Sequence, residues 1–158
     1  MEPFTLEPEN YIAIQKLLVS LTLGLFIGFL RRRRAAGIRT FTLICLGCTL
    51  FTIVSMDPIL GANADKGRIV SNIVTGIGFL GMGVIWKYED KIMGLTTAAA
   101  VWITAAIGIE VGIGNYFIAL ISTAIVGLVL ISKYLPQKEK VIEKKLKTKI
   151  AKTIMKIK

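Results

Sequence analysis

Long apolar runs alternate with short clusters of charge along this chain. A helix needs about 20 apolar residues to cross the roughly 30 Å core of a bilayer. The last two runs are separated by very few residues, which predicts a tight hairpin between antiparallel helices. We therefore predict an all-α integral membrane bundle of five transmembrane helices over residues 1–135. The five runs that meet or approach the spanning length are 11–30, 40–56, 69–86, 95–113 and 115–135.

The charges between the runs predict the orientation of this bundle. With the N-terminus outside and five crossings, the cytoplasmic side holds all of the 20 lysines and arginines except Lys16, Lys66 and Arg68. Cytoplasmic loops carry an excess of basic residues, so we expect an N-outside, C-inside orientation. The acidic N-terminus lacks the basic stretch of a cleavable signal peptide, so we expect the first run to stay in the mature protein.

The segment 136–158 has the pattern of a basic amphipathic helix. Apolar residues recur every four positions, and lysines fill most of the others. Such a helix lies on a membrane surface with its apolar side among the headgroups, so we predict a tail on the cytoplasmic leaflet. Nucleic acid is the competing partner, but it would not require the apolar stripe. The recurring residues are Ile142, Leu146, Ile150 and Ile154.

Composition argues against several classes of function. The net charge is +10, but its placement at the ends of apolar runs favours a lipid surface over nucleic acid. Histidine is absent, and Cys45 and Cys48 alone cannot complete a zinc site. The chain has no G-x-x-x-x-G-K-S/T phosphate loop, and no nucleophile stands with a base and an orienting group. We expect no enzymatic activity and no cofactor.

A glycine motif in the third run has the spacing of a dinucleotide-binding fingerprint, Gly76-x-Gly78-x-x-Gly81. The cofactor site needs an acidic residue about 20 positions later, whereas Glu89 follows far too closely. Small residues along a membrane helix instead let another backbone approach, so we predict helix packing and a homo-oligomer. The wall of a cavity or pore is the alternative. The predicted packing residues are Gly76, Gly78, Gly81, Gly83, Thr97, Thr104 and Gly108.

Polar residues inside the apolar runs are candidates for a functional site, because they are costly in a membrane. These candidates are Glu110, Lys16 and Asn72. We predict that Lys16 and Glu110, both near the outer ends of their runs, approach each other or each meet water. A metal site at Asp57, Asp65 and Glu110 is a weaker hypothesis, based on the preference of magnesium for oxygen ligands. For Asp65, capping the third helix is the simpler role.

A block of arginines follows the first run. Its simplest role is to hold this loop in the cytoplasm and to bind anionic lipid. Contact with a protein partner is the second hypothesis. The block consists of Arg31, Arg32, Arg33, Arg34 and Arg39.

Three stretches in order closely resemble the MgtC/SapB family of membrane proteins. They read AAGIRTFTLICLGCTLFTIVS at 35–55, DKGRIVSNIVTGIGFLGMGVIW at 65–86 and GLTTAAAVWITAAIGIEVGIG at 94–114. The resemblance implies a multi-pass inner-membrane protein linked to growth in low magnesium. In the best-known branch it implies regulation of the membrane ATP synthase rather than magnesium transport itself.

The chain also departs from the family pattern. Leu30 stands where members usually carry the glutamate of a Glu-Arg pair, and Met93 stands where many carry arginine before Gly-Leu. A site that depends on those charges in relatives is altered here. The segment 136–158 is too short for the soluble ferredoxin-like domain that some members append, so we expect none of the activity of such a domain.

The leading functional hypothesis is a membrane protein of magnesium homeostasis that regulates another membrane complex such as ATP synthase. An oligomeric channel or carrier for a small cation or solute is the alternative. A carrier predicts flux in proteoliposomes that Glu110→Ala abolishes, whereas a regulator predicts co-purification with its partner complex.

Overall fold

The structure is a computed structural model and describes residues 8–57 and 65–132. By length and composition, α1, α2 and α4 are able to cross a membrane, and α3 and α5 are shorter apolar helices. The tail helix predicted for 136–158 lies outside the described residues. The elements are α1 (Pro8–Leu30), α2 (Ile38–Met56), α3 (Lys66–Met82), β1 (Trp86–Tyr88), β2 (Lys91–Met93), α4 (Leu95–Ile113) and α5 (Tyr116–Ser132).

Each of the five apolar runs corresponds to one helix, but the third helix ends earlier than predicted. α3 stops at Met82, and Trp86 instead pairs with Met93 in an antiparallel hairpin. The all-α prediction is confirmed for the described residues, with one short two-stranded hairpin between α3 and α4 that was not predicted. Apolar content did not reveal this end, because residues 83–86 are as hydrophobic as the helix before them.

Large apolar side chains cover the outside of the bundle. Phe117 is 74% exposed, Phe79 72% and Leu128 70%. In water, contiguous surfaces of this kind cause association, whereas lipid tails are as apolar as the side chains themselves. The exposed surface therefore suits a membrane and agrees with the location predicted from the apolar runs.

α2 lies between α1 and α4, and these two helices cover one part of its surface. Its side chains Phe41, Cys45, Thr49 and Thr52 are fully covered. The two neighbours approach closely because each presents a pair of glycines four residues apart, which share one helix face. The pairs are Gly24 and Gly28 on α1 and Gly108 and Gly112 on α4.

The glycine pairs bring backbone against backbone. A Cβ added to Gly28 would lie 2.6 Å from the Cα of Ile38, so α1 has no room there for a side chain. On the opposite side of α2, a Cβ on Gly112 would lie 2.5 Å from the Cβ of Thr52. Close approach of this kind increases the dispersion contacts on which helix association in lipid depends.

A polar contact joins the same three helices. Thr49 Oγ1 lies 2.8 Å from the carbonyl oxygen of Gly108 and 2.8 Å from Ser20 Oγ. It also lies 3.0 Å from the carbonyl oxygen of Cys45. Because a hydroxyl has one proton, Thr49 donates to one of these three oxygen atoms at a time. One side chain thus connects α1, α2 and α4 in the interior of the bundle.

Candidate functional site

The described helices separate the charges into two ends of the bundle. The first, which we call the arginine end, contains the end of α1, the start of α2, the hairpin and the start of α4. The second, which we call the acidic end, contains the start of α1, the end of α2 and the end of α4. Gly28 packs on Ile38 at the arginine end, and Lys16 bonds Gly112 at the acidic end.

Arg31 is the buried arginine of the arginine end, with 6% of its surface exposed. Its Nη2 donates to Thr97 Oγ1 at 2.6 Å. Its guanidinium carbon lies 5.7 Å from the ring centroid of Phe41, within reach of a cation–π interaction. Arg31 therefore links the end of α1 to the first turns of α4 and α2.

The other arginines of the block lie on the surface. Arg34 follows Arg31 in one hydrogen-bonded turn, since its N–H donates to the carbonyl oxygen of Arg31 at 2.9 Å. Arg32 packs its guanidinium over the ring of Phe29, 4.5 Å from the centroid. Arg33 and Arg39 are exposed. The sequence does not distinguish the four consecutive arginines. Arg31 is the buried one because α4 packs against this turn.

A cavity of about 360 Å³ lies beside Arg31. Arg31 and Arg34 line it on one side, and Thr96 and Thr97 line it from the start of α4. Apolar residues of α5, among them Val129, complete the lining. The cavity therefore combines two cationic side chains with hydroxyl groups and a hydrocarbon wall.

Gly94 fixes the wall that β2 and α4 contribute to this cavity. Its φ of +89° lies in the left-handed region, and a Cβ there would overlap the carbonyl oxygen of Val84. As the N-cap of α4, its carbonyl accepts the N–H groups of Thr97 at 2.8 Å and Ala98 at 2.9 Å. Glycine adopts this conformation without the steric cost of a side chain. The chain thereby turns from hairpin into helix and sets Thr97 beside Arg31.

The acidic end holds Lys16 and Glu110, two of the predicted polar residues. Lys16 Nζ donates to the carbonyl oxygen of Gly112 at 2.7 Å, and Glu110 Oε2 accepts from Asn115 Nδ2 at 2.9 Å. Lys16 thus reaches α4 two residues from Glu110, but these hydrogen bonds go to different groups. Together they connect α1 to α4 and α4 to the start of α5.

Asn72 lies away from this pair. It is exposed on α3, where it lines an apolar groove of about 570 Å³ between α2 and α3 together with Gly76. A Cβ on Gly76 or on Gly78 would meet nothing within 4 Å. No described neighbour in the same copy therefore packs on this part of the predicted stripe, and its packing role stays a prediction for contacts between copies.

The remaining predicted small residues have neighbours inside the bundle. A Cβ on Gly81 would lie 3.8 Å from Ala98, and Gly83 is the C-cap of α3. Thr104 is buried and donates to the carbonyl oxygen of Ala100 at 2.7 Å. These contacts place the end of α3 against the start of α4.

The predicted oxygen ligands Asp57, Asp65 and Glu110 all lie in the described ranges. There, no three histidine, cysteine, aspartate or glutamate side chains come together to hold an ion. Asp65 is the N-cap of α3 but makes no capping hydrogen bond through its side chain, and Asp57 is exposed after the end of α2. A magnesium site that uses Asp57, Asp65 or Glu110 stays a prediction.

Comparison with known proteins gives consistent matches. The model of the MgtC family matches residues 17–138. Protein MgtC of Salmonella typhimurium (strain LT2) is 42% identical over 115 residues, which cover 72% of this chain and 48% of that protein. Protein SrpB of Synechococcus elongatus is 39% identical over 122 residues, which cover 68% and 67%.

A third relative carries magnesium in its name. YhiD of Escherichia coli (strain K12), named as a candidate magnesium transporter, is 42% identical over 105 residues, which cover 63% of this chain and 49% of that protein. The chain spans about half the length of most of these curated relatives. No solved structure matches it.

Proposed function

The chain belongs to the MgtC family, and from this premise we propose that it is a multi-pass protein of the inner membrane that serves magnesium homeostasis. It acts by binding and regulating another membrane complex, such as ATP synthase. The link to magnesium is supported by the family and by the relative named as a candidate magnesium transporter.

The packing of α1, α2 and α4 favours regulation over transport, and it is the observation that carries the proposal. Gly28 and Gly108 bring the backbones into contact, and Thr49 bonds groups of the neighbouring helices. A channel or carrier path requires polar groups that line an open route. Interior hydroxyl groups of these helices instead bond to a neighbouring helix, as Thr49 does, or to a carbonyl of their own helix, as Thr52 and Thr104 do, which leaves outer faces for a partner.

The exposed face of α3 is the contact for a second copy of the chain in this proposal. Asn72, Gly76 and Gly78 are exposed there, beside the groove between α2 and α3. An amide on a lipid-facing helix gains by bonding across a helix interface, and glycines let the partner backbone approach. A two-fold dimer would use this face in both copies.

Five crossings with the N-terminus outside remain the proposed topology. The arginine end would face the cytoplasm and the acidic end the exterior, as basic loops are retained inside. α3 and α5 have 17 residues each, about 25 Å at 1.5 Å per residue. Local thinning of the bilayer accommodates helices slightly shorter than its core.

Affinity purification in mild detergent from cells grown in low magnesium, followed by mass spectrometry, tests the regulatory role. We expect enrichment of a respiratory or ATP-synthesising complex. The matched measurement is ion flux in proteoliposomes of the purified chain, for which we expect no signal above empty vesicles. Substrate-dependent flux that Glu110→Ala abolishes would instead establish the carrier alternative.

A further inference from the structure

The cavity beside Arg31 has the chemistry of a phosphate-binding site. Two arginines, Arg31 and Arg34, and two threonines at the start of α4, Thr96 and Thr97, line one volume of about 360 Å³. We propose that this cavity binds the phosphate of an anionic phospholipid. The site is independent of the proposed partner complex, since it rests only on residues of this chain.

The arginines provide the charge in a geometry that suits phosphate. Arg31 and Arg34 belong to one hydrogen-bonded turn and both line the cavity. A guanidinium presents planar, paired N–H groups that bind phosphate oxygens bidentately.

The start of α4 adds donors and a favourable dipole. The N–H groups of Thr97 and Ala98 donate to the Gly94 carbonyl, so the donors offered to an anion are the N–H groups of the helix start that precede them. Thr97 accepts a hydrogen bond from Arg31, so its own hydroxyl proton is directed to a different group. Gly94 holds this helix start beside the two arginines, as its left-handed conformation allows no side chain there.

The size and apolar wall of the cavity favour a lipid over a free phosphate ion. The volume of about 360 Å³ equals that of roughly 12 water molecules in the liquid, which is more than a bare phosphate requires. Val129 and Leu130 form part of the lining, and Val129 is 63% exposed on the outer face of α5. A phospholipid with its phosphate at Arg31 can thus extend its acyl chains along α5.

Neighbouring arginines distinguish this site from general attraction to an anionic surface. Arg33 and Arg34 are adjacent, exposed and equally charged, but of the two only Arg34 lines the cavity. If lipid bound only by general attraction to the charged surface, substitution of either residue would lower the affinity equally, because this attraction depends on charge close to the membrane. If the lipid binds in the cavity, substitution of Arg34 should lower the affinity much more than substitution of Arg33.

The test uses the purified full chain in mild detergent with added phosphatidylglycerol, phosphatidylcholine or inorganic phosphate. Bound lipid is counted by native mass spectrometry, and thermal unfolding is followed by tryptophan fluorescence. We expect phosphatidylglycerol to bind and raise the unfolding midpoint. Arg34→Gln should weaken this binding about tenfold, as loss of a charge-assisted hydrogen bond does, whereas Arg33→Gln should retain it.

Arg31→Lys supplies a second variant that keeps the buried charge but removes the guanidinium fork. We expect it to elute as a single folded species and to bind phosphatidylglycerol more weakly than the wild type. Equal binding by the Arg33→Gln and Arg34→Gln variants would overturn the site. Displacement of the lipid by inorganic phosphate at equal concentration would support the phosphate site but assign it to a soluble phosphate.

Discussion

The carbonyl oxygen of Cys45 lies 2.5 Å from the position that a Cβ would take on Gly108. α4 and α2 therefore meet backbone to backbone at this point, and Thr49 bonds the carbonyl of the same glycine at 2.8 Å. Both the shape and the hydrogen bonding of this interface depend on Gly108. Substitution by alanine, which adds a single methyl group, therefore tests the close approach directly.

Gly108→Ala should destabilise the bundle by about 1–3 kcal/mol, the cost of overpacking a filled interior. The opposing atom belongs to the backbone of α2, so no side-chain rotation relieves the overlap. The midpoint of thermal unfolding in detergent measures the effect.

Gly47→Ala in α2 is the matched control for this prediction. Both glycines are in helices, but a Cβ on Gly47 would meet nothing within 4 Å. Alanine in a helix is favoured over glycine by roughly 0.5–1 kcal/mol, so the midpoint should stay or rise. Equal losses from the two substitutions would contradict the close approach of α4 to α2.

The helices were predictable from the sequence because their apolar runs are long. The glycines at which the helices pack were predicted only in part. Gly108 was found as part of a small-residue stripe, whereas Gly24, Gly28 and Gly112 were missed. The signal was present, since both pairs have the four-residue spacing that brings membrane helices together. The stripe at Gly76 and Gly78 has equally small residues, and only the fold shows that no described neighbour covers it.

Thr49→Val should cost about 1–2 kcal/mol, because it leaves the Gly108 carbonyl and the Ser20 hydroxyl without this interhelical partner. Valine has nearly the same shape as threonine, so the loss of stability measures the contribution of the hydrogen bonds. Chemical or thermal unfolding in detergent provides the measurement.

Thr123→Val is the control for this hydroxyl. Thr123 is also buried, but its hydrogen bond goes to Ala119 in its own helix at 2.7 Å. We expect a smaller loss from this substitution. Thr49→Val and Ser20→Ala should be non-additive in a double-mutant cycle, and simple additivity would argue against their coupling.

Gly94→Ala should disturb the junction between the hairpin and α4. A left-handed conformation costs a non-glycine residue about 1–2 kcal/mol, and the added Cβ would also overlap the Val84 carbonyl. We expect a lower unfolding midpoint and faster tryptic cleavage at Lys87 and Lys91. Gly83→Ala is the control, since Gly83 has φ −62° and should tolerate the change; equal sensitivity would contradict the special role of Gly94.

Self-association through α3 predicts that a bulky residue in its exposed stripe separates the copies. Gly76→Phe should lower the mass measured by light scattering in detergent from that of an oligomer to that of a monomer. Ala124→Phe places the same ring on the exposed face of α5 and should leave the mass unchanged. A wild-type chain that is already monomeric, or an equal effect of both variants, would reject this face as the interface.

The sequence predicted where the arginine block lies but not which of its arginines is buried. Its position after the first run predicted a boundary of the membrane, but it gave no reason to separate Arg31 from Arg34 or Arg33. Burial of Arg31 depends on the first turn of α4, which is 66 positions away in sequence at Thr97. The hydrogen bond of Lys16 was equally hidden in the sequence, because its partner Gly112 is 96 positions away.

The N-outside orientation predicts opposite labelling of the two ends by a membrane-impermeant maleimide. Asn115→Cys at the acidic end should react on intact spheroplasts, whereas Asp90→Cys in the hairpin should react only after permeabilisation. Both positions are exposed, and the native Cys45 and Cys48 are buried, so the wild-type chain provides a low background. Labelling of Asp90→Cys alone would invert the proposed orientation, and labelling of both from outside would contradict the assignment of the two ends to opposite faces of the membrane.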